Sequence, residues 1–273
     1  MKKTLFTLQF TFTLAVCAFM IVPVVLSVLA GLTTNYFVGL SSGLTLRWVG
    51  EVWDGYQDTI YLSIGIALAC LAVTLVLGVP AAYALARTRS RLGRLFEELL
   101  MLPIAVPGLA TALGLIVTYG ALGRFRTSWT FILVGHVLFT LPFMVRSVLA
   151  VLSAIDLKTL EEGAASLGAT FRERFFHVVL PNCRNGILAG ALMVVTLSVG
   201  EFNITWLLHT PFTKTLPVGL ADAYASLRLE IGSAYTLLFF LMIVPLLLAM
   251  QALAAPRTRR FVPDDGQAGD PLK

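Results

Sequence analysis

The sequence predicts an all-α membrane protein with six transmembrane helices and a cytoplasmic two-helix loop between helices 4 and 5. Three observations carry that prediction. First, 58% of the 273 residues are hydrophobic and only 13% charged, with a mean hydropathy of +0.86, against roughly 25% charge in an ordinary soluble domain. Second, the charges gather in short islands, leaving residues 9–46, 59–86, 99–123, 127–145 and 231–256 free of Asp, Glu, Lys and Arg, while residues 185–208 form a sixth apolar run broken by one acid, Glu201. Each run supplies the roughly 20 apolar residues a helix needs to cross a bilayer. Third, these runs are apolar all round, unlike the segments of about ten residues with alternating polarity that build a membrane barrel.

Taken in order, the first run follows Lys2 and Lys3 and contains Pro23, which would kink it. Its apolar stretch exceeds the roughly 7–15 residues of a secretory signal, so it is read as a retained span. Residues 46–58 read as an outer amphipathic segment. The run at 99–123 opens with Pro103 and Pro107, followed by Gly108 and Gly114. Such a pattern suits either a broken helix that lines protein or water or a kinked packing helix whose small residues allow close approach. Glu201 lies roughly 24 Å along the fifth run, counted from residue 185 at about 1.5 Å per residue. A carboxylate facing lipid costs about 2.5–3.5 kcal/mol. It therefore either faces a route through the bundle, with Asn203 and Thr205 adding polarity, or pairs with a partner group or the outer headgroups.

Placing the amino terminus inside puts Arg47, Arg124, Arg126, Lys214 and Arg228 on outer islands and the other fifteen of the 20 basic residues inside, as the positive-inside rule requires. Both termini are then cytoplasmic. The net charge of +5 reflects orientation and anionic lipid rather than nucleic acid, because no nucleic-acid motif lies between the spans. Three domain blocks follow: 1–58, the first transmembrane helix and outer segment; 59–256, a core of five transmembrane helices with the loop at about 156–181; and 257–273, a polar cytoplasmic tail.

The loop is the most informative segment. Asp156 is a candidate N-cap for a helix over 157–167, with Leu157, Leu160, Ala164 and Leu167 at helical spacing and Lys158, Glu161 and Glu162 on the other side. Gly168 suits a C-terminal stop. Thr170 and Glu173 form a capping box for a second helix, on which Phe171, Phe175 and Val178 share a face and which Pro181 ends. Gly163, Ala164, Ala165 and Ser166 leave little side-chain bulk. That surface suits either a close socketed contact or a helix pair resting on headgroups.

This stretch, "EEGAASLGATFRERFFHVVLP", resembles the coupling (EAA) loop of inner-membrane permease subunits of binding-protein-dependent ABC importers of type I. The family pattern is Glu-Ala-Ala, three residues, Gly, nine residues, Ile, one residue, Leu-Pro. It falls on Glu162, Gly163, Ala164, Gly168, Val178, Leu180 and Pro181 with every spacing kept; Gly163 stands for the first Ala and Val178 for Ile. The resemblance extends over roughly residues 59–256, and residues around Glu201 are similar to the branch that handles polyamines, phosphonates, iron and oxyanions.

It implies a solute pathway coupled by these seven residues to a cytoplasmic ATPase, with Glu201, Asn203, Pro103 and Pro107 as pathway or gate candidates. The implied partners are a second permease, the same or homologous, two cytoplasmic ABC ATPase subunits that bind ATP and Mg, an external solute-binding protein that residues 46–58 could meet, and membrane lipid. The implied location is the bacterial inner membrane, and the implied solute a small charged one: a polyamine or aminophosphonate first, an oxyanion or iron next.

The sequence has no P-loop run, no His-Glu-x-x-His and no Cys/His metal spacing, so neither catalysis nor a cofactor of its own is expected. Cys17, Cys70 and Cys183 read as apolar fillers. His136 and His209 read as satisfied polar side chains, and His177 as facing headgroups or a partner. A self-sufficient ion-coupled carrier or channel is the alternative; carriers commonly show repeated halves and several intramembrane charges, whereas here there is one acid and no repeat.

Overall fold

A computed structural model describes residues 2–88 and 90–254. Arg89 and the tail assigned to 257–273 lie outside the described residues. The elements are α1 (Lys2–Ala30), α2 (Arg47–Arg87), α3 (Arg91–Ala105), α4 (Gly108–Tyr119), the single turn α5 (Gly123–Arg126), α6 (Trp129–Ser153), α7 (Leu157–Ser166), α8 (Phe171–Glu173), α9 (Leu180–Val199), α10 (Asn203–Leu208), α11 (Leu216–Ala225) and α12 (Leu229–Ala254). Among the described residues the one β-type pairing is an isolated bridge between Thr33 and Leu44. Five helices are long and apolar enough to cross a membrane, namely α1, α2, α6, the continuous α8–α9 unit and α12; α3 and α4, bent by 103° at their break, make a sixth if the pair is one span.

The structure adds detail to three expectations. Residues 47–58, within the expected outer segment, are the opening turns of α2, whose 41 residues extend about 61 Å at 1.5 Å per residue, twice the bilayer's hydrocarbon thickness. The Thr45 hydroxyl accepts from the Arg47 amide at 3.1 Å and Arg47 pairs with Glu51 at 2.9 Å, so the start is capped before the apolar stretch begins. The third run bends sharply because Val106 precedes Pro107 and is forced into extended backbone (φ −86°, ψ 128°), whereas Pro103 sits inside α3 without ending it.

Pro181, expected to end the second loop helix, instead sits in the first turn of α9. A π-helical segment, Arg174–Val179, carries α8 into α9 without interruption. The wider turn changes which carbonyls need a donor ahead of the proline, which has no N–H, and the Asn182 side chain donates to Val178 O at 2.7 Å.

The centre of the molecule is α2, α6 and α9, packed through Cys70, Val79, Met144, Val145, Val148, Cys183 and Val194. Glycines set their spacing. A Cβ on Gly186 would lie 2.7 Å from the Ser147 carbonyl oxygen, and one on Gly190 2.8 Å from Met144 Sδ, so "GILAG" brings α9 onto the backbone of α6. Ser147 Oγ donates to Gly186 O across this contact at 2.9 Å.

A second cluster joins α2, α11 and α12 around Val52, Leu216 and Tyr235. α1 meets the bundle only at its final turns, where Gly31 abuts the backbone of Ser233 and Ala234 and Ser27 lies 3.4 Å from Tyr224 Oη. Residues 5–26 are exposed throughout.

The charged islands separate to the two ends. Arg87, Arg146, Lys158, Asp156 and Glu162 border one open cavity of about 1130 Å³. At the other end Arg228 donates to Tyr56 Oη at 2.7 Å, and Lys214 pairs with Asp222.

Candidate functional site

Two arrangements stand out, one at each end of the central helices. The first is the hairpin that follows α6. Asp156 caps α7, its carboxylate accepting from the Thr159 amide (3.3 Å) and hydroxyl (2.7 Å). Gly168 closes α7 with φ +84°, and the Ala169 amide reaches back to Ala164 O at 3.1 Å. The capping box then starts α8: Thr170 N donates to Glu173 Oε2 (2.7 Å) and Glu173 N to Thr170 Oγ1 (3.4 Å). Sequence reasoning identified all three devices. Because no atom lies within 4 Å of a Cβ built on Gly168, the Gly168→Ala variant should suffer only the left-handed backbone penalty. Thermal unfolding should show a loss of about 1–2 kcal/mol, smaller for Gly168→Asn.

The faces of α7 differ from those expected. Leu157 and Glu161 are buried, and Ala164 is half-buried, whereas Leu160 and Leu167 point outward, Leu167 at 89% exposure. Glu161, placed on the outer side by its charge, faces inward because partners wait for it. Tyr83 Oη donates to Glu161 Oε1, and Arg87 Nε stands 3.5 Å from Oε2. Phe171 and Phe175 close over the Tyr83 ring at 6.2 and 5.4 Å between centroids. Glu162 is exposed and meets Lys158 at 3.7 Å; Gly163, Gly168 and Pro181 are also exposed, and Val178 and Leu180 half-buried.

The second arrangement joins two helix breaks. The α3–α4 bend and the break between α9 and α10 meet at Gly108, where an added Cβ would stand 3.2 Å from Asn203 Cβ and 3.7 Å from Glu201 Oε1. Glu201, 8% exposed, turns into its own break. Its Oε1 accepts from the Ile204 amide (2.9 Å), and its Oε2 from the Thr205 amide (2.9 Å) and hydroxyl (3.1 Å). At the far end of α10, Arg126 donates to Leu208 O (2.8 Å) and Leu207 O (3.3 Å). A helix of six residues is marginal alone; an anion at its amino end and a cation at its carboxyl end complement its dipole.

His136, fully buried, holds this unit to α6 and α9. Its Nδ1 lies 2.8 Å from Ser198 Oγ and its Nε2 2.8 Å from Thr205 Oγ1. Since the Thr205 hydroxyl donates to Glu201, it accepts from Nε2–H, and Nδ1 then accepts from Ser198. His136 is thus a satisfied polar side chain, but one that positions the acid. Gly135 makes room for α10: a Cβ there would fall 2.6 Å from Ile204 Cγ2.

Of the pathway candidates, the breaks bring Glu201, Asn203 and the start of α4 beside Pro107 together. Asn203 and Pro107 are exposed, and Pro103 lies about one turn back within α3, half-buried. Sequence reasoning missed Glu161, Tyr83 and the Gly186/Gly190 contact. The last had a legible signal, the small-xxx-small spacing. Among the described residues no group of three or more His, Cys, Asp or Glu side chains is placed to hold a metal.

Known proteins carry the same framework. The chain is 29% identical to the sulfate transport system permease protein CysW of Synechocystis, over 71% of this chain and 75% of that protein. It is 28% identical to the putrescine transport system permease protein PotI of Escherichia coli, over 73% and 74%, and 26% identical to the putative 2-aminoethylphosphonate transport system permease protein PhnV of Salmonella typhimurium, over 86% and 89%. In fold it is similar to a chain of the inward-facing MetNI methionine ABC transporter, with a TM-score of 0.58 at 16% identity, covering 72% of this chain and 91% of that one. The sequence pattern of the binding-protein-dependent transport system inner membrane component matches residues 75–260, which include both the capped hairpin and the paired helix breaks, and the chain belongs to that family of ABC importer permeases.

Proposed function

We propose that this permease crosses the inner membrane six times, the α3–α4 pair counting as one span, with both termini in the cytoplasm and residues 156–181 forming the joint that grips a cytoplasmic ATPase. The observation that carries this reading is the family's spaced pattern on an exposed hairpin. Glu162, Gly163, Ala164, Gly168, Val178, Leu180 and Pro181 define its outline, and Leu160 and Leu167 offer apolar contact beside a low-bulk surface. The separation of charged islands to opposite ends supports the orientation. Domain blocks of 1–58, 59–256 and 257–273 remain the working division, although α2 runs unbroken through residue 58.

The working assembly is two permeases, two ATPases that bind ATP and Mg, and an external solute-binding protein. Nucleotide-driven closure of the ATPases moves the hairpin, and the spans rock to open the route to one side or the other. At the route, Asn203, Pro107 and Pro103 lie at or near the meeting breaks, while Glu201 holds α10 in place beside them. The solute is a small charged molecule, a polyamine or aminophosphonate first and an oxyanion or iron next. The names of PotI, PhnV and CysW support that class.

Purification from native membranes tests the reading: an ATPase should accompany the chain, and liposome uptake should require ATP. Uptake by the purified chain alone would favour the carrier alternative. Glu162→Ala should lower uptake several-fold with thermal stability unchanged, because its exposed i,i+4 pair with Lys158 contributes only about 0.3–0.5 kcal/mol. Unchanged uptake would remove Glu162 from the joint.

A further inference from the structure

We propose that Glu161, Tyr83 and Arg87 form the link that transmits movement of α7 to the spanning helices, a role that rests on reading residues 156–181 as the ATPase joint. A docked helix does work on the spans only if it is fixed to them. α7 is tethered covalently at both ends, but by a turn on one side and the φ +84° glycine on the other. Its buried side chains are Leu157 and Glu161. Leucine packing is non-directional and permits rotation. A carboxylate that accepts from a phenol and faces a guanidinium has its direction set by the hydrogen bond on one oxygen and the charge beside the other.

The geometry is that of a fixed attachment. Glu161 is 4% exposed. Tyr83 donates to one carboxylate oxygen, Arg87 faces the other at 3.5 Å, and Arg87 Nη1 donates to Tyr83 Oη at 2.8 Å. Arg87 is the terminal residue of α2, where a cation also complements the helix dipole, and its guanidinium lies 5.5 Å from the centre of the Tyr83 ring.

Successive residues of a helix differ by 100°, so Glu161 turns inward while Glu162 faces outward. One turn of α7 thus presents one acid to the partner and the other to α2. Tyr83 also touches Phe171 and Phe175, which begin the unit that becomes α9. A displacement of α7 is therefore delivered to two of the three central helices through a single tyrosine. Glu161 is buried while Arg87 is half-exposed, an arrangement that adds little net stability over apolar packing, and its value here is a defined angle between α7 and α2.

The test uses the purified complex of this permease with its ATPase in liposomes, with loaded solute-binding protein added, and reads bound ATPase, ATP hydrolysis and solute moved per ATP. Tyr83→Phe keeps the ring and its packing and removes the hydroxyl, which donates to Glu161 and accepts from Arg87. Glu161→Gln keeps an acceptor for Tyr83. Glu161→Ala removes both contacts. The expected result is that all three variants retain the ATPase and hydrolyse ATP. Solute moved per ATP falls about twofold to thirtyfold in Glu161→Ala and Tyr83→Phe, the span of effects seen for residues within a coupling network, and less in Glu161→Gln.

The Glu161→Ala/Tyr83→Phe double variant should be no worse than Glu161→Ala, since both break one connection. An unchanged ratio in Tyr83→Phe and Glu161→Ala would overturn the link. Loss of bound ATPase in step with transport would overturn it too, assigning Glu161 to docking. A wild-type chain that holds no ATPase would instead remove the underlying reading of the joint.

Discussion

Replacing Glu201 by alanine should destabilise the protein by about 2–4 kcal/mol, the loss expected when several hydrogen bonds to a buried charge are removed together. Removing a buried carboxylate also removes its desolvation penalty, which argues the other way. The surroundings decide the sign. The Ile204 and Thr205 amides have Glu201 as their acceptor, and within a bilayer no bulk water replaces it. His136 would also lose the hydroxyl orientation that its Nε2–H requires.

Glu201→Gln, whose single carbonyl oxygen serves one of the two amides, should fall between wild type and alanine. Thermal unfolding in detergent gives the order, and liposome uptake should follow it as α10 loosens beside α4. An alanine variant as stable as wild type would show that α10 is held by Arg126 and packing alone.

Gly186→Val should be comparably damaging, by about 1–3 kcal/mol or more for overpacking. Two of the three nearest atoms are backbone, Ser147 O at 2.7 Å and Val148 Cα at 3.1 Å from the added Cβ, with Val151 Cγ2 at 3.0 Å between them. No rotamer change relieves that contact, so α6 and α9 must separate and the Ser147–Gly186 hydrogen bond lengthens. Even Gly186→Ala should lower the unfolding temperature. Gly163→Ala is the contrasting case: nothing lies within 4 Å of its Cβ, and alanine gains up to about 1 kcal/mol of helix propensity over glycine. Equal stability of Gly186→Ala and wild type would mean that the central helices do not meet through this face.

How much could be read beforehand depends on whether the signal was local. The capping groups of the hairpin, Asp156, Gly168 and the Thr170–Glu173 pair, act within three or four residues, and each was legible. The five long apolar helices were legible because lipid excludes charge over whole segments. Glu161 was misplaced because the rule that sends acids outward fails when Tyr83 and Arg87, distant in sequence, are brought alongside. Pro181 misled for a similar reason: a proline need not stop a helix where the turn before it adapts, and here the π-helical segment Arg174–Val179 carries the chain into α9. The seven-residue pattern marked Glu162 as the coupling acid, and only the fold distinguishes its outward side chain from the inward one beside it.

The placement of α1 bears on how the protein is made. α1 finds its seat on helices far along the chain, with Ser27 beside Tyr224 of α11, 197 positions away, and Gly31 against Ser233 and Ala234 of α12. Until α11 and α12 have been made, α1 must wait in the bilayer as a solitary anchor, which its exposed apolar residues allow. A nascent chain halted before Ser233 would lack the backbone on which Gly31 rests, so the bundle closes on α1 only after α12 emerges.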